Sequence, residues 1–423
     1  MLVVTSNWCV SDGTLSAGPP RGCVERFRAE VRRASLRCGF RRDGSYQPVD
    51  AVDVVLAGDT FDWLISREWT GDLRPWNAGR RAAAARERVV SGAVRRSQRM
   101  QATLADWMRR GIEVPMADRR GRPMPTASRP VPVRVAVLCG DRDRWLEQAT
   151  GDWMLSSRAP MVGTCWSNGD VTVRHGDDID PLHAASGGEP TLGESLAVDL
   201  IARFGVALDD IADVRPLAAS LVRRLACSAV LDAPTRLVGW LAARDGGATL
   251  SAAGRQGLID TWHRCVALWQ RAARRLSLRG DDGLDLVGTI AEWLRLDAVA
   301  DIIRSVQWAD AASIPGAASP WDSAATVVLG HPAAEVGTSA TSRSRVVCLG
   351  PRALQTLDHL DEDLSGPAAA VVRRARDGGQ IEWLPIGTVA GGIGSRHDHD
   401  EGHGRGVWRS PATPGRDGIV DAA

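Results

Sequence analysis

The sequence predicts an α/β fold interrupted by an all-helical segment, and three observations carry this. Strand-like apolar runs alternate with helical or irregular stretches over the first 190 residues, the pattern of strands joined by crossovers. From Thr191 to Trp308 the alternation stops and apolar residues recur at helical spacing. After a loop at Ser313–Pro320, short β-branched runs return.

Taken in order, Leu2-Val3-Val4-Thr5-Ser6 reads as the first strand. Residues 14–50 begin with a Gly/Pro turn and continue as a basic helix around Cys23–Arg37. Val52-Asp53-Val54-Val55-Leu56 is a second strand. A long helix is expected over Ala78–Arg110, in which Arg80-Arg81 and Arg95-Arg96 flank an Ala/Arg stretch that reads as a solvated face, followed by a Pro/Arg-rich loop from Val114 to Pro132. Val135–Leu138 and Val171–Val173 are further strands. Helices follow at Leu196-Ala197-Leu200-Ile201-Phe204, Leu217-Leu221-Leu225, Leu258-Trp262-Val266-Trp269 and Ile290-Trp293-Leu294-Val299-Ile302. Asp209-Asp210 and Asp281-Asp282-Gly283 look like turns between them. Strands return at Thr326–Leu329, Arg345–Leu349 and Ile381–Leu384. The organisation expected is a core in two parts, residues 1–190 and 313–390, a helical insertion at 191–312, and a disordered, apolar-poor tail at 391–423. That tail carries His397, His399 and His403.

Composition removes several functions. The chain of 423 residues is 44% hydrophobic and 24% charged, with net charge +1, so bulk charge gives no specific nucleic-acid signal. It contains no Lys, which excludes a P-loop lysine and a Schiff-base lysine. Its eight Cys form no Cys-x-x-Cys pair, and several sit in apolar runs that suit buried thiols. No stretch approaches a transmembrane length, and Met1 leads straight into a strand-like run. A reducing, cytoplasmic setting is the expectation. The 16 Trp are expected mostly as core anchors.

The strand ends carry the chemistry. The apolar runs lead into Asn7-Trp8-Cys9, Gly58-Asp59-Thr60-Phe61-Asp62, Gly140-Asp141-Arg142-Asp143, His175-Gly176-Asp177 and Gly330-His331. Ligands gather at the carboxyl ends of strands in open α/β sheets. Alone, an Asp after a strand is as readily a helix cap. In series, these residues point to one metal site built from several strands.

In these blocks the chain resembles the calcineurin-like metallophosphoesterases, whose blocks read Asp-x-His, Gly-Asp-x-x-Asp, Gly-Asn-His-Asp/Glu, His and Gly-His-x-His. Ser6-Asn7-Trp8-Cys9-Val10-Ser11-Asp12-Gly13 and Leu56–Trp63 look most like the UDP-2,3-diacylglucosamine hydrolase branch. The resemblance covers roughly residues 1–190 and 321–350. It implies a four-layer α/β/β/α sandwich and hydrolysis of a phosphoester-containing small molecule, lipid-linked or nucleotide in that branch, with divalent Mn, Fe or Zn. It further implies one metal position at Asp59, Asp141, His175 and His331. A second position is depleted, because Asn7, Cys9 and Ala333 stand where the family has Asp, His and His. Arg142 replaces a His near the phosphate and would hold phosphate or stabilise charge. Asp62 and Asp143 would orient backbone and neighbouring groups, and one of Asp177, Asp178 and Asp180 would steady His175. His183 reads as a surface residue. The helical insertion could form a lid or bind a protein partner. One metal is expected rather than two. A catalytically inactive module of the same fold is the competing reading, motivated by the lost ligands.

Overall fold

The computed structural model describes residues 1–41, 43–146, 160–168, 171–180, 182–183, 190–227, 230–243, 246–276, 281–296, 326–329, 331, 345–348, 368–373 and 380–384. All of them fall within one unit, Met1–Thr388. The loop at 313–320, Val299, Ile302, Trp308, Ala333 and the tail at 391–423 lie outside the described residues.

The strands are β1 (Leu2–Ser6), β2 (Val52–Ala57), β3 (Ile112–Ala117), β4 (Pro123–Val131), β5 (Val133–Leu138), β6 (Met161–Gly163), β7 (Cys165–Asn168), β8 (Val171–Arg174), β9 (Thr326–Leu329), β10 (Arg345–Cys348), β11 (Ala368–Arg373) and β12 (Gln380–Leu384). The first sheet has the order β12-β11-β1-β2-β5-β6. Its β1, β2, β5 and β6 run parallel, while β11 and β12 extend it antiparallel. The second sheet has the order β10-β9-β8-β7, with β8, β9 and β10 parallel. The architecture is mixed α/β, built around parallel strands.

Every residue of β1 and β2 is buried, which explains their unbroken apolar character. Alternate side chains serve different layers. Leu2, Val4, Val55, Ala57, Ala136 and Leu138 form one cluster with Val171 and Val173 of β8, so the two sheets face each other. Val3, Val54, Leu56, Val135 and Val137 join a larger cluster with the helices. Each fully buried aliphatic side chain there contributes roughly 1.5–3 kcal/mol. The one acid within β2, Asp53, is matched in register by Arg134 of β5 at 2.6 Å.

The helical layer includes α1 (Cys23–Cys38), α2 (Arg80–Arg96) and α3 (Gln98–Arg110). The expected long helix is thus two helices, broken at Ser97, whose hydroxyl donates to the Val94 carbonyl. The expected loop from Val114 to Pro132 is instead the β3–β4 hairpin. A two-stranded sheet has only edges, so prolines that would break a central strand are tolerated there, and the register shifts at Pro115/Met116. The strands β6, β7 and β11 carried no clear signal in the sequence.

Between β8 and β9 the regular structure among the described residues is helical. A continuous helix covers Leu192–Ser195, takes a π-helical stretch over Leu196–Ala202 and returns to α over Arg203–Ala207. Helices Ala218–Ala226, Ala233–Ala242, Ala252–Leu276 and Asp281–Trp293 follow. Asp281-Asp282-Gly283 therefore opens a helix rather than forming a turn. Leu196, Leu221, Trp262 and Trp269 belong to the same apolar cluster as Trp8 and Val10. Trp293 departs from the expected core role and is 47% exposed. No helix among the described residues is long and apolar enough to cross a membrane.

Candidate metal centre

The carboxyl ends of β1, β2 and β5 lie at one edge of the first sheet, and those of β8 and β9 lie at one edge of the second. Past these ends the blocks are stitched together by backbone. Cys9 N–H donates to Asp59 O at 2.9 Å, Val10 N–H to Thr60 O at 3.1 Å, and His331 N–H to His175 O at 2.7 Å. Asn7, Cys9 and Asp59 all take the left-handed conformation, with φ 56, 46 and 50. Three such residues that are not glycine mark a backbone held in place by its surroundings.

Asp141, His175 and His331 converge. His175 Nε2 lies 2.9 Å from Asp141 Oδ1 and 3.3 Å from His331 Nδ1, and His331 Nδ1 lies 3.4 Å from Asp141 Oδ1. These three are buried and offer ligand atoms that could hold one ion. Each imidazole turns its other nitrogen to a fixed partner. His175 Nδ1 is 2.8 Å from the Ala57 carbonyl, and His331 Nε2 is 2.9 Å from Asp180 Oδ2. With those nitrogens carrying the protons, both inward nitrogens present lone pairs, the arrangement of metal-ligating histidines. One carboxylate and two imidazoles suit Zn, Mn or Fe.

Asp59, the fourth residue expected at this position, sits at the edge of the trio. Its Oδ1 is 3.5 Å from His175 Nε2 and accepts from Arg142 N–H at 3.2 Å. The expected support of His175 by a following acid is replaced by the Ala57 carbonyl; Asp180 serves His331 instead, and Asp178 pairs with Arg174 at 2.9 Å.

Two glycines make room. A Cβ on Gly140 would lie 2.3 Å from Asp59 Oδ1, and one on Gly58 would lie 2.2 Å from His175 Nδ1. Gly58 also has φ +86, a region that costs other residues about 1–2 kcal/mol. Gly58→Ala is therefore expected to displace the His175 ring and weaken cation binding more than it lowers stability. Equilibrium dialysis and urea denaturation on the same variant measure the two effects.

Asp59 also contacts a buried guanidinium. Arg142 is buried, with Nη1 3.2 Å from Asp62 Oδ2 and Nε 3.5 Å from Asp59 Oδ2. Asp62 Oδ1 accepts from Leu64 and Ile65 N–H, each at 3.2 Å. Asp143 accepts from Gly140 N–H at 2.7 Å and Phe61 N–H at 3.1 Å, tying the second and third blocks together. Cys9 is buried and hydrogen-bonded to Cys227, which together with burial pushes its thiol well above the ordinary range. It is not among the side chains that converge as ligands. Asn7 is buried as well. Arg223 from helix Ala218–Ala226 donates to the carbonyls of Trp8 and Cys9 at 3.3 and 3.2 Å, so the helical segment fixes the first block.

Electrostatics reflect this crowding. Burial, then the Asp141 charge, raises Asp59 to about 8, and burial raises Asp143 to about 6. Burial opposes ionisation of Asp141, but His183, His175 and His331 hold it well below the usual carboxylate range. Burial also opposes charge on His331, but hydrogen bonds to Asp141 and Asp180 raise it to about 9. His175 is raised likewise by Asp59 and Asp141 against its burial. The anions that hold these protons are the groups that would hold a cation.

His183 corrects the expectation of a surface residue. It is 8% exposed, its Nδ1 lies 3.2 Å from Asp141 Oδ2, and its ring stands edge-on to His331 at 5.0 Å. The signal available in the sequence was its place in His175-Gly-Asp-Asp-Ile-Asp-Pro-Leu-His183, a short acidic turn returning to the strand end.

No family model, curated protein or solved structure matches the chain.

Proposed function

We propose that the protein is a metal-dependent phosphoester hydrolase, a divergent relative of the calcineurin-like metallophosphoesterases with the four-layer sandwich of that group. The observation that carries this reading is the convergence of Asp141 Oδ1, His175 Nε2 and His331 Nδ1 at the carboxyl ends of β5, β8 and β9. A divalent ion there would act as a Lewis acid on a phosphoryl oxygen. The chain's own residues do the rest. Ala57 O and Asp180 fix both imidazoles, and Asp143 fixes the Gly140 and Phe61 backbone. Asp59 stands beside the trio, within reach of the same space.

One observation favours the competing reading, a catalytically inactive binding module. The Arg142 guanidinium, which the resemblance places near the phosphate, is instead engaged with Asp59 and Asp62. Arg142 there neutralises buried carboxylates without supplying a ligand for water or phosphate.

The test is to load the purified protein with Mn²⁺, Co²⁺ or Zn²⁺ and assay bis(p-nitrophenyl) phosphate. Turnover that His175→Ala abolishes in a folded protein is the expected result. A folded protein that takes up no metal and turns over no phosphoester sinks the hydrolase reading and leaves the binding module.

A further inference from the structure

Beside the trio lies a second group of ligand-bearing side chains: Asp180, His183 and His331. We propose that it is a second divalent-cation position, joined to the first through the His331 ring. The inference rests on the first position being a metal site, since His331 belongs to both.

His331 presents one nitrogen to each side. Nδ1 faces Asp141 and His175 at 3.4 and 3.3 Å, and Nε2 faces Asp180 Oδ2 at 2.9 Å. Asp141 also divides its carboxylate, with Oδ1 toward His175 and Oδ2 toward His183 at 3.2 Å. His183 Nδ1 is buried and completes no hydrogen bond among the described residues; the atom it faces is Asp141 Oδ2, at 3.2 Å. A buried ring nitrogen without a hydrogen bond is costly unless something else satisfies it. A cation does so.

The local backbone holds the group in place. The Asp180 carboxylate accepts from Leu182 N–H at 2.8 Å, and His183 N–H donates to Asp180 O at 2.9 Å, closing a tight turn. The start of the helix at Leu192 presses on the ring: a Cβ on Gly193 would lie 2.1 Å from His183 Cε1. Asp180 is mostly buried, and both histidines are buried.

A cation at this position replaces the proton that His331 Nε2 shares with Asp180. With both positions filled, His331 would offer one ring nitrogen to each ion, and the proton it gives up would go to solvent. The three donors, one oxygen and two nitrogens, suit Zn²⁺ or Co²⁺.

The experiment is metal stoichiometry on the full chain, by equilibrium dialysis against Zn²⁺ and Co²⁺, for wild type, His183→Ala, Gly193→Ala and His175→Ala, with circular dichroism checking each fold. Two equivalents in wild type and one in both His183→Ala and Gly193→Ala is the expected result. One equivalent in wild type, kept by His183→Ala and lost by His175→Ala, overturns the second position and leaves the first intact. One equivalent lost by His183→Ala but kept by His175→Ala puts a lone ion on Asp180, His183 and His331, and overturns both the paired arrangement and the reading of the first position. No bound metal in wild type overturns both.

Discussion

Replacing Arg142 with methionine is expected to destabilise the fold by about 3–5 kcal/mol, the usual effect of removing one partner of a buried ion pair. Asp59 and Asp62 are each 1% exposed and face the guanidinium at 3.5 and 3.2 Å, so the change strands carboxylates in the interior. The loss must depend on pH, in a direction the shifts fix. Burial already raises Asp59 to about 8, and raises Asp62 against the pull of Arg142. Without Arg142 both rise further. An acid whose folded value is raised above its unfolded value favours folding at low pH and loses that contribution as pH rises through the folded value. The variant should therefore lie nearest wild type at about pH 4, close to ordinary carboxylate values, and fall progressively behind toward pH 8 and above. Urea denaturation across that range measures the gap. Adding Asp62→Asn to Arg142→Met should recover part of the loss, since a neutral amide can still accept from Leu64 and Ile65. A variant as stable as wild type at pH 8 would show that this ion pair contributes nothing net.

Arg142 also shows where the sequence was readable and where it was not. Its block was legible because a buried parallel strand leaves a continuous apolar run, and the residues just past Leu138 must sit at the carboxyl edge. The same logic placed Asp59, His175 and His331. It could not say which way Arg142 points, because that depends on Asp62 coming round from another strand. The β3–β4 hairpin was hidden by its prolines, which argue against a central strand and are harmless in a sheet that is all edge. The break at Ser97 lay inside an Arg/Ala pattern that continues on both sides. His183 was hidden for another reason: it belongs to a turn, which has no periodicity, and only the three-dimensional return toward Asp141 buries it. Local pattern thus located the strand ends, while the second group of donors depends on contacts the pattern does not encode.

Asp141→Ala is expected to weaken binding of Zn²⁺ or Mn²⁺ by more than the 10- to 100-fold typical of losing a group that merely supports a ligand, roughly a hundredfold or beyond. Asp141 is the carboxylate on which His175 and His331 both converge, and its removal leaves two imidazoles with only the more distant Asp59 beside them to offset an ion. Asp141→Asn keeps an oxygen and should fall between the two proteins. Wild-type affinity should also climb with pH, and competition sets the sign. An imidazolium has no lone pair for a metal, so an ion must displace any proton held on the inward nitrogens. His331 is raised to about 9, and His175 is raised as well, so protons compete throughout the neutral range. Affinity should rise steadily from pH 6 toward pH 9 and level off above it. Calorimetric titrations in buffers of different ionisation enthalpy should detect protons released with each ion bound. In Asp141→Ala the histidines lose the anion that holds those protons, so the pH dependence should shift to lower pH even as affinity falls. Binding independent of pH between 6 and 9 would mean that the ion does not sit on these imidazoles, and the site would have to be sought elsewhere in the chain.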